Sequence, residues 1–195
     1  MNLNENKDNL NELDKERYQR FINGDIEGFE ELVLAYKNML IYFLNRYLQD
    51  LNIAEDIAQD AFVDVYVYKE RYNGKTSFKT YLFTIGRNKA IDYIRKNKHM
   101  QYTVNIEEQT AISSEEDELI DYIIQQENKG LIAHTLERMK EEYARVLILI
   151  DFEDFSYKEA ADVLGKTTSQ VKVLVHRARK SLRKMLEEEG FTYEK

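Results

Sequence analysis

Hydrophobic residues recur along this chain at the spacing of amphipathic helices. The first apolar stripe consists of Phe29, Leu32, Val33, Tyr36 and Leu40. The second consists of Ala54, Ile57, Ala58, Ala61, Phe62, Val65 and Tyr66. Residues three and four apart share one face of a helix, so each stripe predicts a helix with one buried side. No stretch shows the alternation of a β-strand convincingly, and we therefore predict an all-α protein.

A third helix is predicted to begin after the Asn73-Gly74 dipeptide, which ends the second stripe. Thr76 or Ser77 can cap its first turn, and the helix should continue to about Arg95.

The helical pattern fails between residues 99 and 118, in the acid-rich stretch HMQYTVNIEEQTAISSEEDE. A stretch of this length without periodicity is typical of a connection between domains. Periodicity then resumes at Leu119 and continues past Ile150. We therefore predict two helical domains, at residues 21–98 and 119–190, joined by a flexible acidic linker at 99–118.

Composition removes several classes of protein from consideration. The chain has no Cys, which excludes a disulfide framework, a thiolate metal site and a Cys nucleophile. Its first residues are polar, without the apolar core of a signal peptide, and its longest apolar runs are too short to span a bilayer. We expect a cytoplasmic protein without membrane insertion.

Charge is distributed unevenly along the chain, although the formal net charge is −8. Residues 97–130 contain two bases and eight acids, whereas residues 69–98 contain nine bases and two acids. Residues 165–184 contain seven Lys or Arg and no acid. Local clusters of one sign indicate partners better than net charge does, so the two basic stretches are candidate nucleic-acid contacts.

Two capping boxes flank a glycine in the second basic stretch. Ser156 and Glu159 form the first box, Gly165 ends the short helix that follows, and Thr167 and Gln170 form the second box. A small residue inside the first helix and a branched apolar residue six positions after the glycine complete the helix-turn-helix signature. These two residues are Ala161 and Val171.

The second helix of this motif separates an apolar face from a polar one. The residues predicted to face inward are Val171, Leu174 or Val175, Ala178 and Leu182. The opposite face fits the major groove of DNA, with bases at its flanks for phosphates. A solvated amphipathic helix can look the same, but the two boxes around the glycine turn favour DNA binding.

Residues 135–186, which contain this motif, resemble the C-terminal domain of bacterial sigma factors, and in particular the extracytoplasmic-function (ECF) group. AEDIAQDAFVDVYVYKERYNG and SFKTYLFTIGRNKAIDYIRK resemble the other domain of the same family, in the right order. The resemblance implies a protein without catalytic chemistry or a cofactor. It would bind core RNA polymerase, read two promoter DNA elements and help to open the duplex, and an anti-sigma factor is an expected partner.

The resemblance also implies roles for residues of the second and third helices. Asp56, Gln59 and Asp60 would dock on core polymerase, and an acidic ridge continuing to Asp64 would suit a basic partner surface. The minus-ten element would be contacted by an exposed segment made of Arg87, Asn88 and Lys89, of which Asn88 could read a base edge. Tyr81 stands where the family usually has Trp.

For the minus-thirty-five element, the resemblance points to the first turns of the last helix. The residues implied are Thr168, Ser169, Gln170, Lys172, Val173, His176, Arg177 and Lys180. Leu174 departs from the family, which often has a base there, so either a phosphate contact is missing or the packing face is shifted.

Two other classes of function stay open at this point. A helix-turn-helix regulator could act without polymerase and bind duplex DNA as a dimer. A small helical hydrolase could hold Mg²⁺ on the acidic row that contains Asp56, Asp60 and Asp64. However, the sequence has no second carboxylate motif of regular spacing on another helix to complete such a site.

Overall fold

The computed structural model describes residues 3–98 and 129–188 of the 195-residue chain, and all regular elements in these ranges are helical, which confirms the predicted fold class. The first range holds α1 (Leu3–Ile22), α2 (Ile26–Leu48), α3 (Leu51–Val67), a 3₁₀ turn (Lys69–Arg71) and α4 (Phe78–Lys98). The second holds α5 (Lys129–Arg138), α6 (Glu141–Leu147), a π-helical segment (Ile148–Phe152), α7 (Tyr157–Leu164) and α8 (Thr168–Glu188). The predicted linker, 99–118, lies outside the described residues, as do residues 119–128.

The predicted helices are built on the expected buried stripes and side-chain caps. Leu32, Tyr36 and Leu40 of α2 are buried, and so is the apolar face of α3 from Ala54 to Val65. At the start of α4, the N–H of Thr80 donates to the Ser77 hydroxyl at 3.2 Å. Such a bond satisfies one of the N–H groups that a helix start leaves unpaired. Ser77 is therefore the cap of α4.

The helix α1 is not predicted by the apolar pattern, because an acid occupies one position of its buried face. Tyr18 and Phe21 are buried where α1 packs on α2, and Asp14, on the same face, is only 1% exposed. The Asp14 carboxylate accepts from the Tyr36 hydroxyl and pairs with Arg17 at 3.4 Å. Burial nevertheless raises the pKa of Asp14. The sequence-based domain start at residue 21 falls near the end of this helix.

The helix α4 lies at the centre of the molecule and contacts α2, α3 and α7. Its approach to α2 depends on Gly86, where an added Cβ would come within 3.0 Å of the Leu40 side chain. A close crossing of this kind favours a residue without a side chain.

The helices α1–α4, which we call the N-terminal half, share one hydrophobic core with α5–α8, the C-terminal half. Phe83 of α4 packs on Phe155, with ring centroids 5.3 Å apart. At the other end of the contact, Arg145 of α6 donates to the Arg46 carbonyl of α2 at 3.1 Å. The two sets of helices predicted as separate domains therefore pack directly on each other.

Candidate nucleic-acid interface

The turn between α7 and α8 has the geometry that the sequence predicts for a helix-turn-helix. The Ser156 hydroxyl accepts from the N–H of Glu159 at 3.2 Å, and the Glu159 carboxylate accepts from the N–H of Ser156 at 2.8 Å. At the other end of α7, Gly165 has a φ of +63°, in the left-handed region that glycine adopts without strain. Only residues 165–167 separate the two helices.

The second capping box is also formed. The N–H of Gln170 donates to the Thr167 hydroxyl at 3.2 Å, and the N–H of Thr167 donates to the Gln170 side chain at 2.9 Å. Val171 and Ala161 are buried beneath the turn, at 0% and 4% exposure. These contacts confirm the predicted boxes and the predicted apolar plug, and they fix the direction in which α8 leaves the turn.

The helix α8 presents one apolar and one polar face. Val171, Leu174, Val175 and Ala178 are buried against the rest of the C-terminal half. All eight residues predicted for the minus-thirty-five element are exposed: Thr168, Ser169, Gln170, Lys172, Val173, His176, Arg177 and Lys180. Leu174 thus belongs to the packing face, so a hydrophobic contact replaces the base that the family often has there.

The cations of α8 differ in what surrounds them. Arg179 binds both carboxylate oxygens of Asp151 in the π-helical segment, with Nε 3.0 Å from Oδ2, and so braces the helix internally. Within the described residues, Lys172, Arg177 and Lys180 form no ion pair, so their charge is available to a ligand.

A second charged position lies where α6 meets the start of α8. Lys166 pairs with Glu142 at 2.9 Å, and the hydrogen bond from Lys166 lowers the pKa of Glu142. This pair lines a groove together with Ser169, Gln170, Val173, Leu174 and Arg177. Glu142 therefore lies beside the exposed face of α8 as an acid whose charge is paired with Lys166.

The acidic face of α3 is shorter than the sequence suggests. Asp56, Gln59 and Asp60 are all exposed on one side of the helix. Asp64, expected to continue the ridge, is instead paired with Lys89 of α4 at 2.9 Å. The expectation that Asp64 extends a free ridge is wrong, because its helix packs beside α4 and the lysine neutralises it.

The segment predicted for the minus-ten element lies within α4, the helix that the sequence predicts to continue to about Arg95. Asn88 is exposed, as predicted. Arg87 is half-buried, and its guanidinium donates to the Leu164 carbonyl at 3.1 Å and to the Asn88 side chain at 3.2 Å. Lys89 is half-buried in its pair with Asp64. The expectation of an exposed segment is therefore wrong for Arg87 and Lys89, since helices distant in the sequence supply a partner to each.

Comparison with known proteins identifies the family. The profile of Sigma-70 region 2 matches residues 32–100, and that of Sigma-70, region 4 matches residues 129–182. RNA polymerase sigma factor YlaC of Bacillus subtilis (strain 168) is 29% identical over 158 residues, 81% of this chain and 91% of the relative. The ECF RNA polymerase sigma factor SigX of the same bacterium is 30% identical over 170 residues, 83% of this chain and 84% of the relative. This chain belongs to the ECF sigma factors.

The fold of this sigma factor is also found in solved structures. The sigma factor RpoE from Bartonella quintana, determined in complex with the anti-sigma factor NepR, superposes with a TM-score of 0.62 at 26% identity. The match covers 82% of this chain and 96% of that one.

Membership of the family establishes the activity. As a sigma factor, the protein binds core RNA polymerase and directs transcription initiation at promoter DNA. The resemblance stated from the sequence is confirmed, and neither the polymerase-independent regulator nor the metal-dependent hydrolase is favoured. Within the described residues, no three His, Asp or Glu side chains are grouped so as to hold a metal ion. None of the helices in those ranges has the length and apolarity needed to cross a bilayer.

Sequence reasoning missed one feature of the sigma factor's α3 face. Val63 and Val67, 55% and 59% exposed, continue the line of Asp56 and Asp60 toward the end of the helix. Helical spacing from Asp56 would have found them, because each lies three or four positions beyond the last. The exposed face of α3 is therefore acidic at its start and apolar at its end.

Proposed function

We propose that this sigma factor divides promoter recognition among three surfaces. Asp56, Gln59 and Asp60 of α3 dock on core polymerase. Arg87, Asn88 and Lys89 of α4 serve the minus-ten element, and the exposed face of α8 reads the minus-thirty-five element. The corresponding domains are a region 2-like domain at 21–98 and a region 4-like domain at 119–190, joined by the linker at 99–118.

The observation that carries this proposal is the exposed face of α8, which combines unpaired cations with short polar and apolar side chains. Arg177 can donate to two acceptors of a guanine at once, and Val173 can contact a thymine methyl group in the major groove. Thr168 and Ser169, in the first turn, supply hydroxyls and backbone N–H groups for a phosphate. A face of this composition both holds DNA and distinguishes base pairs.

The minus-ten surface is proposed around Asn88, whose amide projects from α4 into solvent. An amide offers a donor and an acceptor together, which suits the Watson–Crick edge of a base that has left the duplex. Arg87 and Lys89 would supply charge beside it once released from their present partners.

The proposed roles are binding and positioning, so the chain needs no catalytic group of its own and is not an enzyme. Its place of action is the cytoplasm, where core polymerase and promoter DNA are. Because RpoE was solved with an anti-sigma factor, we extend to this chain the expectation of an anti-sigma partner.

Run-off transcription tests the division among surfaces. The template carries a promoter selected by the wild-type holoenzyme from a library randomised at both elements. Asp60→Lys should abolish holoenzyme formation, because it reverses a charge at an exposed docking position. Asn88→Ala should form holoenzyme yet reduce open complexes, and Arg177→Ala should relax the preference at one upstream base pair, by about 1–3 kcal/mol.

Glu30→Lys is the matched control for the docking variant, since Glu30 is an exposed acid on α2, outside the proposed surfaces. It should leave holoenzyme formation unchanged. Co-purification of Asp60→Lys with core polymerase at the wild-type level would remove α3 from the docking surface.

A further inference from the structure

The dipeptide Asn-Gly occurs twice in this chain, at Asn23-Gly24 and at Asn73-Gly74. Both asparagines are exposed, and the two glycines have positive φ angles of +99° and +70°. A Cβ added at either glycine would meet nothing within 4 Å, so neither glycine is crowded by its surroundings. The two sites therefore match in sequence, exposure and backbone shape, and hydrogen bonding is what separates them.

An asparagine that precedes a glycine can lose its side-chain amide without any enzyme. The main-chain nitrogen of the glycine attacks Cγ of the asparagine, because no side chain on the glycine hinders the approach. A five-membered imide closes, and the side-chain nitrogen leaves as ammonia, carrying the proton that the glycine nitrogen gives up. Water then opens the imide: breakage of the bond from nitrogen to Cγ gives aspartate, and breakage of the bond from nitrogen to the main-chain carbonyl carbon gives isoaspartate. One amide and one water thus become one carboxylate and one ammonium ion.

At the first site, the end of α1 holds the attacking nitrogen. The N–H of Gly24 donates to the Phe21 carbonyl at 3.1 Å, and the N–H of Asn23 donates to the Gln19 carbonyl at 3.1 Å. The Gln19 side chain also donates to Asn23 Oδ1 at 3.4 Å. The nitrogen of Gly24 must lose its hydrogen bond before it can lose its proton. The reaction at Asn23 therefore waits for the end of the helix to open.

At the second site, the attacking nitrogen is unpaired. The N–H of Gly74 donates to no group within the part of the chain that the structure describes. The N–H of Lys75 instead donates to Asn73 Oδ1 at 3.0 Å, which draws electrons away from Cγ, the atom that the glycine nitrogen attacks. Across the same loop, the Tyr72 hydroxyl donates to the Thr76 carbonyl at 2.8 Å. The folded loop thus leaves this nitrogen free.

We propose that Asn73 is a site of spontaneous deamidation, whereas Asn23 is protected by the end of α1. The reaction places a new carboxylate in the loop between α3 and α4. The site rests only on the hydrogen bonds of the two segments and on the chemistry of the dipeptide.

The new carboxylate falls inside the basic stretch 69–98. Arg71 and Lys75, on either side of Asn73, are exposed and form no ion pair among the described residues. A negative charge between them lowers the attraction of the loop for a polyanion. This consequence rests on the proposed minus-ten surface, which uses the same basic stretch. Under that proposal, the modified protein opens promoters less well.

Peptide mapping by mass spectrometry tests the site directly. The purified full-length protein is incubated in mildly alkaline buffer beside two short unstructured peptides that carry the two dipeptides. Replacement of the amide by an acid changes the mass, and isoaspartyl forms elute separately from aspartyl forms. Asn73 should convert in the protein at a rate close to that of its peptide. Asn23 should convert at least about fivefold more slowly than its peptide, because a hydrogen bond of ordinary strength has to open first.

Three variants test the consequence. Asn73→Asp carries the charge of the product. Asn73→Ser has no reactive amide, but its hydroxyl can still accept from the N–H of Lys75. Asn38→Asp adds the same charge at an exposed position of α2, outside the proposed surfaces.

The measurement is open-complex formation on the selected promoter, with core RNA polymerase purified from Bacillus subtilis. Asn73→Asp should form open complexes about twofold less well at low salt, and the loss should shrink at high salt because salt screens the added charge. Asn73→Ser and Asn38→Asp should match freshly prepared wild-type protein. After incubation, the wild-type protein should fall toward the level of Asn73→Asp, whereas Asn73→Ser should keep its activity.

Two results would overturn the site: conversion of Asn23 as fast as that of Asn73, or slowing of Asn73 relative to its peptide as strong as that of Asn23. Normal open-complex formation by Asn73→Asp would overturn the consequence. None of these results involves Asn88. Normal promoter opening by Asn88→Ala would contradict the minus-ten proposal alone, since the mass measurement of Asn73 does not depend on it.

Discussion

At the scale of single residues, Glu153 is a buried acid at the contact between the halves, where its carboxylate lies 2.7 Å from Lys79 Nζ. Burial raises the pKa of its carboxyl above the ordinary value of 4.5, and the attraction of Lys79 from α4 opposes that rise only in part. Asp154, its neighbour in the chain, raises the pKa further. Burial, with the hydrogen bond to Asp14 and the charge of Asp14, raises the pKa of the Tyr36 hydroxyl on α2, and the charge of Glu153 adds to that rise. Keeping Glu153 charged while the halves are in contact therefore carries a cost in free energy.

The contact between the halves should consequently weaken as pH rises. Glu153 binds a proton more readily while the halves are packed than after they separate, when its carboxyl meets water. The stabilisation from this proton is complete below 4.5 and is lost as pH rises through the raised pKa. Energy transfer between dyes on Asn38→Cys and Lys158→Cys, at exposed positions on α2 and α7, should fall over that window when the protein is titrated upward from pH 4.5, and it should be flat in Glu153→Gln. An identical titration in Glu153→Gln would assign the effect to another group, such as Asp14, whose pKa is also raised by burial.

At the scale of the element, α8 carries cations in three different environments. Arg179 is held by Asp151 and braces the helix on the C-terminal half. Lys184 is 78% exposed near the end of the helix, where it lies 3.6 Å from Glu188. Arg177 stands on the exposed face beside Val173, and the two line the same groove. We therefore propose that Arg177 reaches base edges, whereas Lys184, nearer the end of the helix, reaches only phosphates.

Salt dependence and base preference should distinguish Arg177→Ala from Lys184→Ala. Loss of a phosphate contact in Lys184→Ala should weaken holoenzyme binding to all promoter variants alike and reduce the salt slope by about 0.9. Loss of Arg177 should relax the preference at one base pair. The measurement is a binding series over salt and promoter variants, with Lys37→Ala on α2 as a control for net charge. Uniform losses in both variants would make α8 an electrostatic anchor that does not read sequence.

At the scale of the whole molecule, one hydrophobic core runs through both halves. It passes from α2 and α4 through Phe83 and Phe155 into α6, α7 and α8. Segments that share a core unfold together when the shared contact is large compared with the stability of each part. The interface thus couples α8 to α3, although the two helices lie on different halves.

Calorimetry should show this coupling directly. The wild-type protein is expected to unfold in one transition. Glu153→Lys, which places a second ammonium beside Lys79, should unfold in two, because each half then loses its partner. Glu31→Gln, whose ion pairs lie within one half, should lower the single melting temperature without splitting it. Two transitions in the wild-type protein would mean that the shared core contributes little to the coupling between the halves.

The sequence by itself determined whatever depends on neighbours within a few positions. The caps at Ser156 and Thr167, the left-handed Gly165 and the exposed face of α8 follow from local hydrogen bonds and helical spacing, and all were predictable. Tertiary structure decided the partners of α4. Arg87 meets Leu164, 77 residues away, and Lys79 meets Glu153, 74 residues away. Such pairs leave no periodic signal, because a cation that will be buried by a distant acid looks the same in the sequence as one that stays in solvent. The helix α1 was missed for the same physical reason. Asp14 is buried because Tyr36 of another helix donates to it, whereas an acid in the sequence suggests an exposed position.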